Sequence, residues 1–309
     1  YSLELFINDS LFYYNQMERF SFSETRYINS HIDYKHYVET GKKFIKCFVD
    51  PNNFLSTNKK KSQHNLGSNL KQGVNHVKII VQDSYMNTAF LTFNINFTKD
   101  KSQMHTTKKE DYINCKQVFE FKNNDIDIYI PNNSLYKDCL FSYEKTTNPQ
   151  NKYKTHKILD KSTPIHKPFI MSIKADSVEK KLRSKALIGR IEDGKISCIK
   201  SQWKENKIIG KSNKFGDFRI VIDTVKPELK YYKKTNQLIH FKIQDKLSGI
   251  KQYRGSIDDK WILMEYDFKT NLLTYQLDTT KNKKNQVIKI EVIDQVDNKN
   301  EINFNLSKK

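Results

Sequence analysis

Glycine and proline are scarce in this chain, at 9 and 6 of 309 residues. Most of its turns must therefore be made by asparagine, aspartate and serine, whose short side chains bond to nearby backbone. No run of about 18 apolar residues occurs, so no helix can span a membrane. The four cysteines, Cys47, Cys115, Cys139 and Cys198, form no C-x-x-C pair, which argues against a structural zinc knuckle or a redox motif. Cys115 and Cys139 fall in one block and could pair, or both could be buried free thiols. There is no G-x-S-x-G, no H-E-x-x-H, no P-loop and no G-x-G-x-x-G. The chain opens on Tyr1, inside an alternating apolar pattern, and shows no signal peptide, which reads as a fragment whose upstream part is missing.

What is abundant is positive charge and aromatic surface. Lysine and arginine total 54 against 35 acidic residues, for a net charge of +19. Arginine is the minor partner, and sequence-specific nucleic-acid readers depend on its bidentate fork, so no nucleic-acid partner is expected. Two readings of the charge remain. One is a compositional bias shared with the enriched asparagine and isoleucine; the other is an anionic polymer as partner. The basic clusters at residues 59–61, 108–109 and 281–284 are expected in loops. Hydrophobic content is only 37%, but 17 Tyr and 19 Phe supply large buried areas from few residues.

Apolar residues alternate with period two through most of the chain, so the fold is expected to be all-β, built of tandem immunoglobulin-like sandwich modules flanking a different β-rich middle domain. The first block, residues 1–98, opens on a hairpin whose turn is Asn8-Asp9-Ser10. It reads as a truncated sandwich carrying a long irregular insertion at residues 24–37 and 52–73. A polar, non-periodic stretch at 99–109 reads as a linker. The middle block, 110–223, has strand patterns around Val118, Ile126, Phe169 and Phe218, and a helical turn at residues 177–183. After a hinge at Val225-Lys226-Pro227, residues 225–309 carry six or seven short strands, the spacing of an immunoglobulin-like sandwich.

An internal repeat links the outer blocks. Lys78-Ile79-x-Val81-x-Asp83-x-x-x-Asn87 recurs as Lys289-Ile290-x-Val292-x-Asp294-x-x-x-Asn298, each residue 211 positions from its counterpart. The aspartate and asparagine at fixed spacing predict one type of capped turn in both copies.

The search for chemistry returns weak constellations. His31, Asp33 and His36 are close in sequence, but a strand would put His36 on the opposite face from the other two. A polar network holding the insertion is the simpler expectation. His156 and Asp160 have H-x-x-x-D spacing without the H-x-H a zinc peptidase adds. Asp83, Asp245 and Asp294 stand at strand ends, where calcium sometimes binds, but turn capping is expected since no all-oxygen loop is visible. Trp203 and Trp261 could be carbohydrate or peptide platforms; Trp261, followed by Ile262-Leu263-Met264, is expected mostly buried, and Trp203 is the better candidate for exposure. No catalytic, cofactor-binding or metal-binding residue is assigned from this chain.

Three stretches carry a resemblance. Asp245-Lys-Leu247-Ser248-Gly249-Ile250, then Ile257-Asp258-Asp259-Lys-Trp261 through Asp267, then Val292-Ile-Asp294-Gln-Val-Asp-Asn298 resemble the C-terminal sandwich of long lysostaphin-type (LytM-like) zinc peptidases of the Bacteroidetes lineage, metallopeptidase family twenty-three. Met17-Glu-Arg-Phe20 through Tyr34, with Phe48-Val-Asp50-Pro51-Asn52-Asn53, resembles the region downstream of their peptidase domain, and Phe215-Gly216-Asp217-Phe218 through Asp223 resembles a domain junction of the same proteins. The resemblance implies a parent protein that cleaves peptidoglycan cross-links with zinc, in the cell envelope outside the cytoplasm. It carries over no catalytic residue, because the family's H-x-H is missing and zinc is expected only in an upstream domain. The chain is expected to position that domain on peptidoglycan or another anionic envelope polymer, with a stand-alone adhesion or carbohydrate-binding protein as the alternative.

Overall fold

The computed structural model describes residues 1–60, 66–98, 112–149, 151–235, 237–277 and 286–306. The chain is all-β, with several antiparallel sheets and only short helical segments between them. It divides into two compact units, one holding residues 1–144, 157–171 and 211–216, the other residues 145–156, 172–210 and 217–309.

The first unit begins with a five-stranded sheet in the order β3-β2-β1-β4-β5. Its strands are β1 (Ser2–Ile7), β2 (Ser10–Gln16), β3 (Asn58–Lys60), β4 (Gly73–Gln82) and β5 (Thr88–Phe97). Leu3, Leu5 and Ile7 alternate onto one face and are buried with Phe12, Tyr13, Val49 and Val77. That face is covered in part by Cys47, Leu66 and Leu70, from the segment that connects β2 to β4. Two expectations change here. Residues 24–37 are not irregular: a short 3-10 helix at Phe22–Tyr27 and helices at Ile28–His31 and Tyr34–Thr40 fill them. Ser21 and Glu24 form a reciprocal capping box, and Asp33 caps the helix that follows it. Lys59 and Lys60 lie in β3 rather than a loop, because β2 offers that segment an edge to pair with. Residues 61, 108–109 and 281–284 lie outside the described residues, as does the linker at 99–109.

The same unit contains the hairpin Phe119–Lys122 and Ile126–Ile130, whose Ile126, Ile128 and Ile130 are buried. In the second unit, strand Ala186–Glu192 pairs with Lys195–Ile199 on one side and Gly216–Ile222 on the other. A 3-10 segment at Lys180–Lys185 stands where the helical turn was expected.

The C-terminal block is a sandwich of two four-stranded sheets. One sheet runs Glu228–Lys234, Leu238–Gln244, Leu272–Gln276, Glu265–Asp267; the other runs Lys260–Ile262, Ile250–Ile257, Val287–Asp294, Lys299–Asn305. Their inner faces bury Phe241, Ile243, Leu273, Ile288, Ile290 and Val292 completely. Tyr231 stacks on Phe304 at 4.7 Å, and Phe241 meets the same ring edge-on at 5.5 Å.

The second of these sheets is a copy of the first block's sheet. Leu3, Leu5 and Ile7 pair with Val81, Ile79 and Val77; Tyr253, Gly255 and Ile257 pair with Val292, Ile290 and Ile288. Over these residues the register is the same, although the pairing of β1 with β2 carries a bulge at Leu5/Phe6 that its C-terminal equivalent lacks. The repeat also extends to a second hairpin. Asn8-Asp9 and Asp258-Asp259 both have positive φ at two successive residues, the geometry of a tight type I′ turn.

Candidate functional site

The repeated aspartates cap their turns in one manner. Asp83 accepts from the N–H of Tyr85 and Asn87, and Asn87 Nδ2 donates to its other oxygen at 2.8 Å. Asp294 accepts from Val296 and Asn298 in the same way, with Asn298 Nδ2 at 2.7 Å. Met86 and Asp297, again equivalent, both take positive φ. Turn capping was the expected role, and the geometry supplies it.

The surroundings of the two turns differ. The Asp83 turn is exposed, whereas Asp294 is fully buried and joins Asp223 and Asp245 in one cluster. A carboxylate oxygen from each lies within 4.8 Å of the others, so the carboxylates gather where the sequence reading saw no clustering. Asp223, read in the sequence only as the end of a domain junction, directly follows strand Gly216–Ile222. Each carboxylate is held by backbone N–H groups. Val225 N and Ser248 N donate to Asp223, and Leu247 N and Gly249 N donate to Asp245. Asn298 Nδ2 also donates to the carbonyls of Asp223 and Val225, tying the hinge to the last hairpin. Nearby, burial and then the charges of Asp223 and Asp245 push the Cys198 thiol up to about 12.

The residues around His31 form a polar network, as expected of the insertion. Ser30 Oγ and Lys46 Nζ both contact Asp50 at 2.5 Å. Asn52 Nδ2 donates to the carbonyls of Cys115 and Leu135, and Asn53 Nδ2 to that of Tyr27. His31 ends one helix and is buried, Asp33 caps the next, and His36 lies edge-on to Phe44 at 4.6 Å. Among the described residues, His31, Asp33 and His36 do not converge on one point. Asp33 spends its carboxylate on the His36 N–H, and among the described residues the three aspartates above are the one convergent group of three metal-capable side chains. His156 is buried in strand Thr155–Ile158, and Asp160 is occupied by Ser162 through both its N–H and its hydroxyl. All four cysteines are free, with no Cys115–Cys139 bridge.

The tryptophans reverse the expectation. Trp261 is 60% exposed, whereas Trp203 is half-buried beneath the Arg183 guanidinium at 5.4 Å. The reason is position. Trp261 lies on an edge strand of three residues, so its ring hangs beyond the sandwich instead of entering it. It borders a cavity of about 690 Å³ whose wall includes Ile257, Ile262 and Leu263 with Asp258, Glu265, Thr274 and Gln276. An exposed indole face beside carboxylate and amide groups suits a sugar ring or an extended peptide.

The fold and these features define an all-β protein of sandwich modules whose recognisable motifs hold turns, hinge and insertion in place. One segment is similar to a known family: residues 110–223 match the Zu5-like domain. Among curated proteins the chain has no match.

Proposed function

We propose that this chain is the non-catalytic β-sandwich region of a bacterial cell-envelope zinc metallopeptidase, and that it positions the catalytic domain on peptidoglycan. The observation that carries the binding part is the Trp261 cavity, which offers an aromatic face together with carboxylate and amide groups. The peptidase part rests on the resemblance of residues 17–34, 48–53 and 245–298. The Zu5-like match adds a β-rich middle domain between the outer blocks. A stand-alone wall-binding or adhesion protein is the second reading, since the same cavity serves it equally.

Co-sedimentation of the chain with purified peptidoglycan sacculi tests the binding. Wild-type protein is expected in the pellet, and Trp261→Ala, an exposed position, is expected to lose most of it while keeping its thermal transition. Equal pelleting of both proteins would remove the cavity from the argument. An in-frame H-x-x-x-D and H-x-H domain encoded upstream of Tyr1 favours the peptidase reading, and a signal peptide directly upstream favours the adhesion protein.

A further inference from the structure

Strand β5 and strand Lys299–Asn305 are equivalent, and both are edges of their sheets. Nature's usual protection of an edge is charge, proline or a bulge. The C-terminal copy has that protection: Lys299 pairs with Glu291 and Glu301, and Glu301 also reaches Lys289. In β5 the residues equivalent to Lys299 and Glu301 are Thr88 and Phe90. From Ser84 to Thr98 no residue is charged, in a chain that is 29% charged. The ten-residue pairing of β5 with β4 has no bulge, and β5 contains no proline. Phe90 is 71% exposed and Leu91 58%, whereas Phe304, the counterpart of Phe93, is buried beneath Tyr231 and Phe241. Among the described residues nothing pairs with the outer side of β5.

We propose that β5 is a self-association edge, through which two copies of the chain pair antiparallel into one continuous sheet. A second copy is the occupant that the charge pattern favours. Symmetric pairing sets each segment against itself, so any lysine in it would face a like charge or sit close to one, and a chain of net charge +19 has kept this segment free of them. The hydrogen-bond phase agrees. Asp83 N–H donates to Asn87 O, so the odd-numbered residues of β5 face β4 and the even-numbered ones present N–H and C=O outward. A two-fold axis at Thr92 then sets Phe90 opposite Asn94 on one face and Leu91 opposite Phe93 on the other. The pairing is isologous and closes at two copies, because each chain spends its free edge on the other.

Sedimentation velocity over a range of micromolar concentrations tests this. Wild type is expected to be a dimer. Thr92→Pro deletes an outward N–H without touching the β4 ladder, and Leu91→Lys sets charges against each other; each is expected to raise the dimer dissociation constant at least tenfold. Asn303→Pro, the equivalent change on the charged edge, is expected to leave the dimer intact and serves as the control for fold, together with circular dichroism. A wild-type monomer, a dimer indifferent to both β5 variants, or assemblies larger than two that Thr92→Pro leaves intact would each overturn the proposal.

Discussion

His31 shows what a single buried group contributes. Burial first, and the nearby Lys46 charge second, lower its pKa from 6.5 to about 4. Between those values the unfolded chain binds a proton that the folded chain refuses, so stability falls as pH drops through that window. The contribution is complete above pH 6.5 and lost near pH 4. Replacing His31 with asparagine removes the titration. The thermal midpoint of the variant is expected to decline less than that of wild type between pH 7 and pH 4.5, as measured by calorimetry in matched buffers. The aspartates act as fixed acceptors. Asp83 and Asp294 each satisfy two backbone donors that a tight turn would otherwise leave bare.

At the scale of elements, one turn is used twice at two depths. Asn87 bonds to its aspartate on the surface, whereas Asn298 is buried and bridges Asp294 to the carbonyls of Asp223 and Val225. Removing a buried side chain that satisfies several polar groups costs roughly 2–3 kcal/mol, and the exposed equivalent well under half of that. Asn298→Ala is therefore expected to lower the denaturation midpoint several degrees further than Asn87→Ala, measured by urea or thermal melts. The strands, the first hairpin and the Asp-to-Asn turn were legible because period-two alternation and turn chemistry are local. What was not legible depended on chain-distant neighbours. Asp223 meets Asp245 and Asp294 only after two separate strands have been placed. Trp261 looked like a core residue because Ile262-Leu263-Met264 follow it, yet of these Met264 is in the core, Ile262 packs half-buried against it and Leu263 is exposed. Residues 24–37 lack a long apolar period because their three helical segments are each a turn or two in length.

At the scale of the whole molecule, the charge of +19 is the excess of 54 basic over 35 acidic residues, and the surface ion pairs that exposed lysines make are individually weak. Such charge favours any anionic polymer over a distance set by the Debye length, about 8 Å at physiological ionic strength. Binding to sacculi that retain anionic polymer is expected to weaken as salt rises. Sacculi stripped of that polymer are expected to show a flatter salt dependence, with the Trp261 contribution preserved. Co-sedimentation across a salt series distinguishes the two contributions. Salt-insensitive binding to both preparations would leave compositional bias as the reading of the charge.

The shared register of the two outer blocks also bears on how the chain reaches its native state. Two sheets with the same turns and the same central pairing invite misassembly, in which a strand of one block is taken up by the other during folding. Gly255 stands against that error. It occupies the position of Leu5 in the first block, and a Cβ there would lie 2.5 Å from Met264 Sδ and 3.0 Å from an Ile262 carbon. A leucine in that position would require the Met264 and Ile262 side chains to shift. Gly255 thus makes the two sheets sterically different at a position where their turns and central pairing match.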